Sequence, residues 1–378
     1  MSDRIQEIVT DLPRMKSVTK VWAEAERSLA EGDAACVADL GIALAERYGS
    51  SAVQTWQYRS VLPRLLSLLI ASPGEGDTVH VLRLAASVAS FDRKRARHVA
   101  SLLAAGRAPE DLAALFTGGS PHAGTSEELR ACLVHEMVLA GVAVEEVPGV
   151  ARWARSPHWR HHPLRWLPLS LTDLERAALA EDPPGGGSRP VPPRQQGGLP
   201  TSSGTPPRVL PATETTAETA VSISAAVANW AEESNGRVEA GTYDLDAPLS
   251  ADTLKDTLMA LGLDCLKGPD TRARLSLSPF RPDLVWRVLF IAASTGGAYN
   301  NGEHGAYGRL AAWRSLAALS CADRDPTSGE VEQRASECFW YSFGGSTDWF
   351  DQVIWDIGLV AVTPGRRRLA VLAASDTD

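Results

Sequence analysis

The chain has 378 residues, 44% of them hydrophobic and 22% charged, enough apolar material for two folded cores. Its formal net charge of -9 argues against a whole-chain, non-specific nucleic-acid binder, which would need clustered positive charge. Five of the 37 basic residues are lysine, a bias that, with the many Ala, Gly and Pro, points to a GC-rich genome rather than to arginine chemistry.

The N-terminus, MSDRIQEIVTDLPRMKS, has no apolar core followed by a cleavage site, so no signal peptide is expected. Residues 1–180 read as an all-α helical array or bundle. VTKVWAEAERSLAEGD, AACVADLGIALAERYG, TVHVLRLAASVASF and RHVASLLAAGR repeat apolar residues at intervals of three and four. Thr125-Ser126-Glu127-Glu128 reads as a capping box before LRACLVHEMVLAG, and Thr172 to Glu175 as another before LERAALA. No longer-period repeat identifies a solenoid, and the longest apolar runs fall well short of the roughly 20 residues that span a bilayer.

Residues 181–212 are rich in Pro, Gly and Ser and nearly free of apolar side chains. Such a stretch cannot bury enough surface to offset its ordering entropy, so a flexible linker is expected there. Residues 213–378 read as an α+β domain on a largely antiparallel sheet. A helix is expected over AETAVSISAAVANWAEES, ended by Asn235-Gly236. A strand follows in RVEAGTYDL, with Val238, Ala240 and Leu245 as its apolar set, and Ser250 caps ADTLKDTLMALG. RARLSLS alternates again, and PDLVWRVLFIAAS, apolar nearly all round after a proline, reads as a buried helix. AYGRLAAWRSLAALS is a helix with Leu310 and Trp313 inward, GEVEQRASECFWYSF passes from helix to strand, and a terminal hairpin turns at Pro364-Gly365.

Between the two buried helices lies STGGAYNNGEHGAYGR, residues 294–309. Glycines before a helix start suit an anion, and Arg309 adds charge. The spacing nevertheless matches neither a P-loop nor GxGxxG, and Glu303 would repel phosphate. Two readings stand. In one the stretch is a sharp corner with Tyr299 and Tyr307 packed on the core. In the other it is a polar ligand loop using Tyr299, Asn300, Asn301, His304 and Arg309. His304, beside Glu303, is also a candidate general base. Asp348 and Asp356 sit among aromatics in STDWFDQVIWDIGL and are candidate acid/base or turn-capping groups. Asp376 and Asp378 close the chain, as a frayed acidic end or as packed ligands.

Elsewhere, RWARSPHWRHHPLRW (152–166) interleaves basic and aromatic residues, either for nucleic acid or as a helix end with its aromatics inward. DRKRARH (92–98) reads as a solvated helix start. Cys36, Cys132, Cys265, Cys321 and Cys338 form no CxxC pair, so neither a disulfide framework nor a metal site is expected, and buried free thiols in a reducing cytosol are.

Three blocks taken together, STGGAYNNGEHGAYGRLAAWRSLAAL, STDWFDQVIWDIGLVAV and LAVLAASDTD, resemble an actinomycete family defined as a domain of unknown function, family 6183. That resemblance implies one module carrying all three blocks; it transfers no activity, cofactor or catalytic residue. The residues themselves favour a cytoplasmic binding or interaction module, whose partner is a protein or a small molecule, with no membrane and no nucleic acid. The alternatives are a hydrolase or transferase built on the 294–309 loop, and nucleic-acid binding through 152–166.

Overall fold

The computed structural model describes all residues except 1–2, 52–53, 73, 75, 91, 118–125, 181–208, 217–218, 269–274, 346, 348, 351–354 and 377–378. Internal contacts divide the chain into two units, Met1–Arg165 and Trp166–Asp378.

The first unit is a helical array: α1 (Asp3–Asp11), α2 (Thr19–Ala30), α3 (Ala34–Tyr48), α4 (Trp56–Ala71), α5 (Asp77–Ala89), α6 (Arg93–Gly106), α7 (Pro109–Leu112), α8 (Glu127–Leu139), α9 (Pro148–Trp153) and α10 (Pro157–His161). Starts are fixed by side-chain caps. Asp33 accepts from the Cys36 amide, Thr55 from Tyr58 and Ser126 from Leu129. The apolar stripes meet inside, with Leu44, Leu65, Leu84, Val99 and Leu133 all at or near zero exposure.

The basic-aromatic stretch 152–166 turns its rings inward. Trp153 and Trp159 are 8% and 5% exposed, their rings 5.4 Å apart. Trp153 Nε1 donates to Glu127 Oε2 at 2.7 Å, and Trp159 lies parallel to the His162 ring. Pro157 begins α10, in which His158 and His161 fall three residues apart, while His162 is its extended C-cap and Pro163 opens a separate turn, so the three histidines do not align together. Arg152, Arg155, Arg160 and Arg165 remain outside. Buried indoles offer no platform on which bases could stack.

The second unit begins before the compositional boundary. Residues 166–180, which periodicity grouped with the helical array, carry α11 (Asp173–Ala180), and this helix packs on α15 (Pro282–Thr295). Of the segment expected to be a linker, 181–208 lies outside the described residues, and Ala212 already pairs with Leu245.

Among the described residues six antiparallel strands form the sheet: β1 (Ala212–Glu214), β2 (Arg237–Leu245), β3 (Ser276–Phe280), β4 (Phe339–Gly344), β5 (Asp356–Val362) and β6 (Arg368–Ser375), in the order β1-β2-β6-β5-β4-β3. The expected terminal hairpin is β5-β6, at the centre of the sheet. Both strands are buried almost throughout because helices cover both faces. One face, with Tyr243, Val360, Leu369 and Val371, packs on α14 (Ala251–Ala260) through Leu254 and Leu258. The other faces α12 (Ala220–Ile223) and α16 (His304–Leu319). In β2 the regular register puts Leu245 on the α14 face and the even-numbered Val238 and Ala240 on the opposite one. The three residues expected to form one apolar set therefore lie on two faces, Leu245 buried and Val238 and Ala240 half-buried.

The helix expected over 217–234 is broken. It runs as α12, a 3-10 turn over Ser224–Val227, and α13 (Ala228–Glu233). Ser224 Oγ bonds back to the Ala220 carbonyl at 2.8 Å, and the Ala226 amide donates to Ser315 Oγ at 2.8 Å. Local serine bonding and a tertiary acceptor replace the regular ladder there. The break seats Trp230, fully buried, with its Nε1 on the Ala292 carbonyl at 3.2 Å. Further on, α17 (Ser328–Glu337) opens with a Thr327/Glu330 capping box and leads into β4.

Candidate functional site

The site is set by the crossing of α15 and α16. Pro282 starts α15, which buries Leu284, Val285, Trp286, Leu289 and Ala292. Its end is Gly296, at φ +81, a conformation closed to most side chains. α16 returns at once and must pass very close: a Cβ on Gly308 would lie 2.7 Å from the Ser294 Cβ and 2.8 Å from its Cα. An Ala in a helix interior ordinarily adds about 1 kcal/mol over Gly. Here overpacking, which costs about 1–3 kcal/mol, wins. Gly308→Ala is expected to lower the unfolding midpoint of the second unit by several degrees in a thermal melt. A rise would show that the crossing is not sterically closed.

Asn300 organises the connection. Its Oδ1 accepts from the Gly297 amide (3.2 Å) and the Gly302 amide (3.0 Å), while its Nδ2 donates to the Asn229 carbonyl at 2.8 Å. Asp376 holds the other side. Its carboxylate is fully buried, accepting from the Ala298 amide at 2.6 Å and from Ser234 Oγ at 2.9 Å. Gly297 has no room for a side chain, because a Cβ there would collide with the Asp376 carboxylate. The acidic end is thus built into the corner as far as Asp376, while Asp378 lies outside the described residues.

Beside this corner is a cleft of about 170 Å³ between α13, the 3-10 turn before it and α16. Asn229, Glu232, Glu303, Tyr307 and Arg314 supply its polar wall, and Ala293, Leu310 and neighbouring alanines its apolar part. Asn229 is 6% exposed, and its Oδ1 is buried with no hydrogen-bond partner. The amide cannot be turned round to cure this. Its Nδ2 faces Asn300 Oδ1 at 3.5 Å, and two backbone donors already fix that oxygen as an acceptor. Asn229 therefore lines the cleft with a side chain whose buried oxygen is left without a donor.

The sequence candidates are distributed unevenly. Asn300 is the keystone of the loop, half-buried, with its amide committed to backbone. Asn301 is exposed, and Tyr299, which one reading packs on the core and the other gives to a ligand, is 58% exposed. His304 begins α16 at φ +59, half-buried, where a non-glycine residue is uncommon. Arg309 is completely buried. Its Nε and Nη2 donate to Glu175 at 2.6 and 2.7 Å, and its Nη1 and Nη2 donate to the carbonyls of Pro168 and Ser170, each at 3.0 Å. That leaves a ligand no route to it. Asp356 opens β5 opposite Ser375, and Asp348 lies outside the described residues. Asn229, Glu232, Tyr307 and Arg314 were not singled out from sequence as ligand groups; Asn229 and Asn300 are 71 positions apart and meet only in the fold.

Among the described residues, no group of three or more His, Cys, Asp or Glu is placed to hold a metal ion, and no helix is long and apolar enough to cross a membrane. The five cysteines are free, and burial pushes the Cys132 and Cys265 thiols well above their usual range.

One family matches residues 19–378, the family of unknown function DUF6183. The chain belongs to that family. The DUF6183 match starts at the first residue of α2 and runs through both units, so the helical array is as much part of the family as the loop, the sheet and Asp376. No curated protein and no solved structure matches the chain.

Proposed function

We propose that this DUF6183 protein is a binding module, and that the cleft beside the 294–303 corner holds a small amine-bearing molecule. What supports the reading is the polar wall of the cleft, where Glu232 and Glu303 stand beside Asn229, whose buried Oδ1 has no partner and would gain one from a donor that reaches it on binding. An acceptor so placed calls for an N–H or O–H from a ligand. Glu232 and Glu303 on the same wall select a cationic donor, and Glu303 at the start of α16 disfavours phosphate. Arg314 offers a second anchor, for a carboxylate or hydroxyl at the other end of the ligand.

The test is calorimetric titration of the full chain with ethanolamine, glycine and a short diamine, with ethylene glycol as the neutral control. Saturable binding of one or more amines, and none of the glycol, is expected. Asn229→Leu removes the acceptor while Asn300 keeps both backbone donors, and should weaken amine binding about tenfold or more. Amines that fail to bind, or that bind the Asn229→Leu and Glu303→Gln variants as well as the native chain, would overturn the reading.

A further inference from the structure

The first unit carries a second cleft, of about 180 Å³, independent of the one just described. Its apolar surface comes from Leu62 and Leu66 of α4, Val88 of α5 and Val99 of α6, all buried. Its polar groups are Arg59, which is exposed, the half-buried Gln54, Arg95 and His98, and the Tyr58 hydroxyl. The cleft is therefore apolar at its base and cationic at its mouth, and among the described residues no carboxylate lines it.

The charge is not a local accident. Neither α4 nor α6 contains an Asp or Glu, in a chain whose net charge is -9. The other arginines of these helices that pair with acids do so away from the cleft: Arg64 with Glu26 at 2.7 Å and Arg97 with Glu128 at 3.8 Å. Arg95 instead donates from Nη1 to the Tyr58 hydroxyl at 2.9 Å and lies over that ring, 5.4 Å from its centroid. A guanidinium has five N–H donors in a planar fork, so this leaves donors for a planar anion. Burial pushes the His98 imidazole below its usual range, so at neutral pH it is an uncharged hydrogen-bonding group and the two arginines carry the charge.

We infer that this cleft binds an amphipathic carboxylate, a medium-chain or aryl-substituted acid whose tail lies on Leu62, Leu66, Val88 and Val99 and whose carboxylate meets Arg95 and Arg59. A bidentate guanidinium–carboxylate pair supplies the directional contact, and tail burial supplies most of the affinity. The stretch 92–98, which reads from the sequence as a solvated helix start, thereby contributes a ligand contact through Arg95.

The experiment is titration of the full chain with butyrate, hexanoate and octanoate, followed by calorimetry and by the amide and side-chain NMR shifts of the first unit. Octanoate should saturate at a dissociation constant of about 1 mM or tighter. Each added methylene should tighten binding about two- to fourfold. Octanol and octylamine should bind at least about tenfold more weakly than octanoate. Arg95→Met should weaken octanoate about tenfold or more, with Arg95→Lys recovering part of the loss. Since Arg95 also supports Tyr58, the surface change Arg59→Gln provides the second variant, with a severalfold loss expected and an unchanged melting midpoint. No saturation by octanoate at about tenfold the stated concentration would overturn the inference. So would equal binding of octylamine, or native affinity in both Arg95→Met and Arg59→Gln.

Discussion

Arg309→Leu should destabilise the second unit by about 3–5 kcal/mol, the largest single effect expected in the chain. Both Arg309 and Glu175 are fully buried, and the desolvation of two charges is tolerable only because every contact is made. Glu175 accepts two bonds from Arg309, one from Trp313 Nε1 at 2.7 Å, and one from the Thr172 amide at 2.9 Å. Removing the guanidinium leaves a buried carboxylate with an indole and an amide but no counter-charge. It also strands the carbonyls of Pro168 and Ser170. Arg309→Lys keeps the charge and loses the fork, so its cost should be intermediate. The double change Arg309→Leu with Glu175→Leu should cost clearly less than the sum of the two single ones, because it removes both charges together. Denaturant unfolding of the full chain, fitted with separate transitions for the two units, measures this cycle. A loss below about 1 kcal/mol for Arg309→Leu, or strict additivity in the cycle, would show that the pair is not the clamp described here.

The same pair shows where sequence reading stops. The Thr172–Glu175 capping box is legible in the chain, and the structure forms it, with the Glu175 amide on Thr172 Oγ1 at 3.2 Å. Nothing local says that this capping glutamate is also a counter-ion for an arginine 134 positions later, beyond the Pro/Gly-rich segment. Hydrophobic periodicity is a local signal. It identified α15, α16, α17 and the β5-β6 hairpin, and the α+β class with them. It also made 217–234 one helix, because it cannot register that Ser315 would take the Ala226 amide and break the ladder. In β2 it joined Val238, Ala240 and Leu245 into one set, although strand geometry separates them by face. The glycines of 294–309 correctly marked a corner between buried helices. Which polar groups the corner faces depended on contacts from α13 and from the chain end, and so the Asn229 acceptor carried no sequence signal.

Asp376→Ala should cost about 2–4 kcal/mol, and its effect should be concentrated in the loop rather than spread through the sheet. The carboxylate lies one residue beyond β6, fully buried, with the chain held in place by the Asp376 amide on the Trp355 carbonyl at 3.1 Å. Its two side-chain bonds reach α13 through Ser234 and the corner through Ala298. Asn300 ties the same two segments together from the other side, through the Asn229 carbonyl. With Asp376 gone, the Ala298 amide and Ser234 hydroxyl lose their acceptor, and between the backbone bonds at Gly296 and Glu303 the segment is left to Asn300 to position against the cleft. Local opening of that segment should then become cheaper than global unfolding. Hydrogen exchange of a peptide covering 296–303 should accelerate about tenfold or more, while peptides from β5 and β6 change only with global stability. Asp376→Asn keeps one acceptor but turns an amide N–H₂ toward either Ala298 or Ser234, so it should fall between the native chain and Asp376→Ala. Amine binding in the cleft should weaken in the same order, because a wall that must be re-formed on binding lowers the apparent affinity by the fraction of chains in which it stands. If exchange rises equally in the loop and in the central strands, Asp376 supports the sheet alone, and the corner holds its shape without it.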